Sequence, residues 1–229
     1  MMNKNQLPDM IISGVSDAAG GSYDQVIIDG VGRIKGAVTS RVFRGNGNIH
    51  VMGDLAAEEL DCNGTMNVRG NISFDTMRAD GMFKVKGALR GERFNLNGLI
   101  NIQGNCELEE FKGEGGFTID GLLSAGHVDF QLQGSGKARE IGVESIVILQ
   151  ANIGVWSKLW SGIFPTFKPE LVTGTIEGDH INLEYTTAEI VRGNTVIIGP
   201  GCKIGLVEYR SELSVHPASV IGKEEKIGG

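Results

Sequence analysis

The chain is poor in the residues that usually anchor a compact core or a reactive centre. Aromatic residues make up only 6% of its 229 positions, and there are three Cys, five Pro and four His. Cys62, Cys106 and Cys202 are odd in number and far apart, and no CxxC occurs. That pattern excludes a disulfide framework and argues against a zinc site, so a reduced, cytoplasmic setting is expected. No run of about 18 apolar residues is present to cross a bilayer as a helix. The opening MMNKNQLPDMIISGV lacks the apolar centre of a secretory signal. The formal charge is −7, with no basic stripe to displace counterions from phosphates, which excludes a general nucleic-acid partner.

What is abundant is Gly, 35 residues of it, and it is periodic. Gly30, Gly47, Gly64, Gly81, Gly98 and Gly115 stand 17 apart, as do Gly36, Gly53, Gly70, Gly87, Gly104 and Gly121. An apolar column, Ile34, Val51, Val68, Val85, Ile102 and Ile119, keeps the same step. So does Val26, Phe43, Leu60, Met77, Phe94, Phe111 and Val128. Within one coil, Leu60, Cys62, Gly64, Met66, Val68, Gly70, Ile72 and Phe74 share one parity, with mostly polar residues between them. Strand side chains alternate between faces, so this set points inward together. An odd period needs one change of phase per coil, and it falls at polar pairs such as Glu58-Glu59 and Glu109-Glu110, read as an outward corner. The two Gly columns are read as inward corners, where a side chain would crowd the axis or φ must be positive. The spacing rules out helix and predicts an all-β solenoid of 17-residue coils, stacked about 4.8 Å apart.

Five regions follow: an N-terminal segment 1–25, a main solenoid block 26–148, a Trp-bearing insertion 149–171, a smaller block 172–222 and a polar tail 223–229. In the insertion, Trp156, Leu159, Trp160, Ile163, Phe164 and Phe167 have helical spacing and Pro165 and Pro169 end it. It reads either as a flank cap or as a contact for a membrane surface or a partner protein. In the smaller block, Val196, Ile198 and Ile204 align with Leu213, Val215 and Ile221 at the same 17-residue step, and Ile181 with Ile198.

The segments GNIHVMG, GTMNVRG, GMFKVKG, GLINIQG and GGFTIDG, followed by VRGNTVIIGPGCKIGLVEY, resemble the bactofilin family of bacterial polymer-forming cytoskeletal proteins, in a two-block branch found in spore-forming bacteria. The resemblance covers most of residues 26–222. It implies a right-handed β-helix that polymerises without nucleotide or cofactor. The implied partners are the chain itself and possible paralogous bactofilins, and the implied role is a scaffold for cell shape, motility or surface structures.

A solenoid end exposes unpaired backbone groups and an apolar column unless it is capped. Val26 and Ile28 are expected to open the first coil, and Val215, Val220 and Ile221 to close the last. These are the candidate self-assembly residues. Cys62 and Cys106 read as small core residues. The four His are dispersed, and the paired Glu read as a solvated edge, so no catalytic, metal or cofactor residues are assigned. Two other readings compete. VIIGPGCKIG resembles the repeats of hexapeptide acyltransferases, but their coils are multiples of six. A non-polymerising adaptor docked through Trp156–Phe167 is the other; either way, the expected place is the cytoplasm, at the inner face of the membrane only where the insertion serves as a membrane contact.

Overall fold

A computed structural model describes residues 7–151 and 169–228. Among these the protein is all-β and forms a β-solenoid of about ten turns. Nine strands lie in one parallel sheet in chain order. They are β1 Met10–Val51, β2 Leu55–Val68, β3 Ile72–Val85, β4 Leu89–Ile102, β5 Cys106–Gln150, β6 Leu171–Leu183, β7 Thr186–Ile198, β8 Lys203–Val215 and β9 Val220–Lys226.

The 17-residue period is realised as register. Val38 pairs with Leu55, Leu55 with Ile72, Ile72 with Leu89 and Leu89 with Cys106. The column Val51, Val68, Val85, Ile102 and Ile119 runs through the same ladders, and with Ile34 it is fully buried. The ladder skips Arg41, Glu58, Asp75 and Glu92, so the polar pairs do form a corner. A second corner is the bend at Gly53, Gly70, Gly87 and Gly104. Here a Cβ on Gly87 or Gly104 would lie 2.7–2.9 Å from backbone atoms of the preceding Gly. Side chains relieve the corner's backbone: the Asn71 N–H donates to Asp54 Oδ1 at 2.7 Å, and the Ala88 N–H to Asn71 Oδ1 at 2.9 Å.

The first Gly column differs from its expected inward placement. Gly47 and Gly64 are exposed. They bend the chain outward at a third corner with φ of 120° and 116°, and Gly81 does so at 128°. A Cβ on any of them would overlap the carbonyl oxygen of the Gly one coil below. Backbone conformation, and not space at the axis, demands Gly in this column.

The solenoid begins earlier than expected. β1 starts at Met10, and the Asp24 N–H donates to the Pro8 carbonyl at 3.0 Å, so residues 10–25 form a coil of their own, with a step of 16 onto the next. The 17-residue period does not reach this coil because its step is one residue short.

The smaller block continues the first. β6 pairs with β5, Gly136 with Leu171 and Ile148 with Leu183. The expected boundary between two blocks therefore falls inside one stack: the ladder leaves off at Ile148 and is taken up again at Leu171, whereas Leu183 and Thr186 of the next coil are separated only by Glu184 and Tyr185. The step also changes. Ile181 pairs with Val196 and not Ile198, and Ile190 pairs with Leu206. A register shift between Gly193 and Thr195 then sets Val196 against Leu213 and Ile198 against Val215, at the expected step. The step thus shortens to 15 and then 16 residues before the bulge restores it to 17.

The core is aliphatic along most of its length and aromatic at its middle. Phe94 and Phe111 stack with centroids 5.2 Å apart and planes 5° apart, and Phe117 and Phe130 meet edge to face at 5.2 Å. Such pairs add about 1 kcal/mol each beyond area burial.

Candidate assembly surfaces

The two ends follow from the ladders. At the start, Val26 and Ile28 are wholly buried beneath the coil of residues 10–25, so they do not form the terminal surface expected of them. The outermost described coil is Met10–Gln25, with Ile11 68% and Val15 84% exposed. Its outer edge has no partner strand among the described residues, leaving a row of backbone donors and acceptors.

At the other end β9 covers only the β8 segment from Lys203 to Tyr209. No described strand lies outside Arg210–Val215. Val215 is 39% exposed, Val220 65%, and Ile221 is half-buried against the core. β9 also sets Glu224 above the buried Val207, and Lys223 donates to Glu225 at 2.8 Å. A charge on the inward column is a recognised way of blunting an edge. Among the described residues the N-terminal coil therefore presents the less obstructed edge of the two.

Trp156, Leu159, Trp160, Ile163, Phe164 and Phe167 lie outside the described residues. Their flanks are tied into the stack: the Ala151 N–H donates to the Leu132 carbonyl at 3.1 Å, and the Gly136 N–H to the Glu170 carbonyl at 2.9 Å.

Along the side of the stack, a concave strip of about 590 Å³ crosses β1 to β5 over a floor of Phe43, Leu60, Met77 and Phe94. Charged and polar side chains line it, one set per coil. Sequence reasoning concentrated on the inward columns and passed over this outward one, whose signal was present as residues 17 apart.

The thiols are core groups. All three Cys are buried, and burial pushes the Cys62 thiol up to about 12 and raises those of Cys106 and Cys202. Such thiols carry little thiolate at neutral pH and are poor nucleophiles. Among the described residues no three His, Cys, Asp or Glu converge on a metal-sized site, and no helix is long and apolar enough to cross a membrane.

Fold and surfaces together define a parallel β-solenoid whose described ends are open or only partly covered. Two proteins of Bacillus subtilis (strain 168) are similar to part of it. The uncharacterized protein YhbF is 36% identical over 107 residues, which cover 46% of this chain and 42% of YhbF. The uncharacterized protein YhbE is 37% identical over 107 residues, covering 46% of this chain and 43% of YhbE. Each match thus spans less than half of either relative. No protein-family model matches the chain, and no solved structure does.

Proposed function

We propose that this protein is a self-assembling scaffold of the bactofilin type, which stacks end to end without nucleotide or cofactor and has no catalytic role. The observation that carries this reading is the outer edge of the Met10–Gln25 coil, which no strand covers among the described residues and beside which Ile11 and Val15 stand exposed. A second copy adding its own edge there would extend the hydrogen-bonded sheet across the contact, as β-strand addition does elsewhere. An isologous contact at one end gives a dimer, and isologous contacts at both ends give a filament. The bactofilin resemblance of the GNIHVMG-type coils supports the same reading and extends it to cell shape, motility or surface structures in the cytoplasm. Negative-stain electron microscopy of the purified chain, without nucleotide, tests it. Filaments or end-joined rods are expected, and Val15→Lys shortens them. A chain that stays monomeric across salt and concentration overturns the proposal.

A further inference from the structure

The flank strip contains a column that reads Arg44, Asp61, Arg78, Asn95, Lys112 and Asp129. Cross-strand pairing places the first five directly above one another, and Asp129 is close enough to Lys112 to raise its pKa. All six are exposed. A cation therefore recurs at every second coil, with an acid or an amide between. Among the described residues no ion pair joins Arg44, Asp61 or Arg78 to any neighbour, so the alternation is not spent on bonds within the column. Lys112 does pair with Glu110 on its own strand.

The order of these groups has a symmetry. Turned end for end and laid face to face with itself, the column sets Arg44 against Asp129, Asp61 against Lys112 and Arg78 against Asn95. Every facing pair is then of opposite charge or charge to amide. We infer that this flank is an isologous contact for a second copy of the chain, with the two solenoids antiparallel and a two-fold axis crossing between the levels of Arg78 and Asn95. A second copy is the partner that fits, because only another solenoid repeats its charges at the coil spacing of about 4.8 Å over several coils. An extended peptide advances about 3.3 Å per residue and loses register within a few residues. The hollow over Phe43 to Phe94 leaves room for the long side chains of the facing copy. The column two residues earlier places Glu59 opposite the facing Glu110, a like-charge pair that the Glu110–Lys112 bond moderates.

One strip of charges covers far less than the roughly 800 Å² per partner of a stable interface, so the contact between single chains is weak and salt-sensitive. It lies on a different surface from the solenoid ends and stands or falls independently of end-to-end assembly.

Zero-length carbodiimide cross-linking with peptide mapping tests it at low salt. Asp61 and Lys112 of one chain are three coil steps, about 14 Å, apart and cannot be joined within a chain. A cross-link between positions 61 and 112 therefore reports this contact alone. The link is expected in the wild type and falls roughly tenfold at high salt. Asp61→Lys alone and Lys112→Asp alone are the blanks, since two amines or two carboxylates then occupy these positions and no amide can form. The link returns, in both directions, when the two variants are mixed, because each then opposes the other's charge. Circular dichroism of each variant matching the wild type shows that the fold is kept. Absence of the link in the wild type, or no recovery on mixing, overturns the inference.

Discussion

Substituting Ala for Gly81 tests the physical basis of the stack directly. Gly81 has φ of 128°, a region essentially closed to other residues, and its missing Cβ would overlap the carbonyl oxygen of Gly64. The backbone strain alone is about 1–3 kcal/mol. The overlap adds to it, because both atoms belong to a ladder that holds thirteen paired positions from Leu55↔Ile72 to Val68↔Val85, so neither strand shifts freely. A total of roughly 3–5 kcal/mol is expected, at the upper end of single-residue effects. Two controls separate the causes. Gly14 also has positive φ, at 90°, yet nothing lies within 4 Å of its Cβ position, so Gly14→Ala reads strain without overlap, about 1 kcal/mol. Gly142 has neither problem, and Gly142→Ala is expected to be neutral or to stabilise by about 0.5 kcal/mol. Thermal melts followed by circular dichroism are suitable: for a chain of this size, about 4 kcal/mol corresponds to a drop of roughly 10 °C. Because each coil contacts only its neighbours, the Gly81 variant should also melt less cooperatively, as the stack divides at the defect. Equal melting temperatures for the Gly81 and Gly142 variants would refute the reasoning.

Val85→Asp buries a carboxylate between Val68 and Ile102, with no partner on the inner column, and is expected to cost about 4 kcal/mol or more; an unchanged denaturation midpoint would contradict the inward placement. With all three thiols buried and the Cys62 thiol held up to about 12, alkylation by iodoacetamide at pH 8 should label none of the Cys in the folded protein and all of them in denaturant. Rapid labelling of Cys62 without denaturant would show that its coil opens.

The regular part of the fold was legible because a strict period converts directly into register. Once Gly47, Gly64, Gly81 and Gly98 recur at one step, the pairing of every residue between them follows, and Val51 to Ile119 could be placed on one buried column from letters alone. The same logic failed wherever the coil length changed. Residues 10–25 step by 16, so a strict period of 17 starts the stack at Val26, one whole coil too late. Ile181 was matched with Ile198 because both are Ile at the expected distance, whereas the ladder sets it against Val196 after a shortened coil. A corner absorbs such changes at little cost, since its residues project into solvent and owe no side chain to the core. The period is therefore the least constrained quantity at the corners and the most constrained along the sides. At the insertion between Ile148 and Leu171 the ladder closes on both sides without losing its neighbours.

The assembly surfaces were harder to read for a different reason. Inward columns announce themselves because water excludes all but apolar side chains there, and every coil must satisfy the same constraint. An outward column tolerates almost any polar residue, so its composition carries information only through order. Arg44, Asp61, Arg78, Asn95, Lys112 and Asp129 look unremarkable one by one. Ordered by register, they form a sequence that matches its own reverse in charge, and a solenoid is the architecture in which such an order acquires a physical meaning. Each coil fixes one charge at one height, so complementarity between two flanks reduces to comparing two lists of heights. An end, by contrast, cannot be graded by lists, because its adhesion comes from backbone groups that every residue but Pro possesses in full. What distinguishes the two ends here is the small set of side chains that obstruct them: Glu224 lies over Val207 at one, while Ile11 and Val15 stand clear at the other. The edge that carries fewer obstructing charges is the one at which stacking should begin.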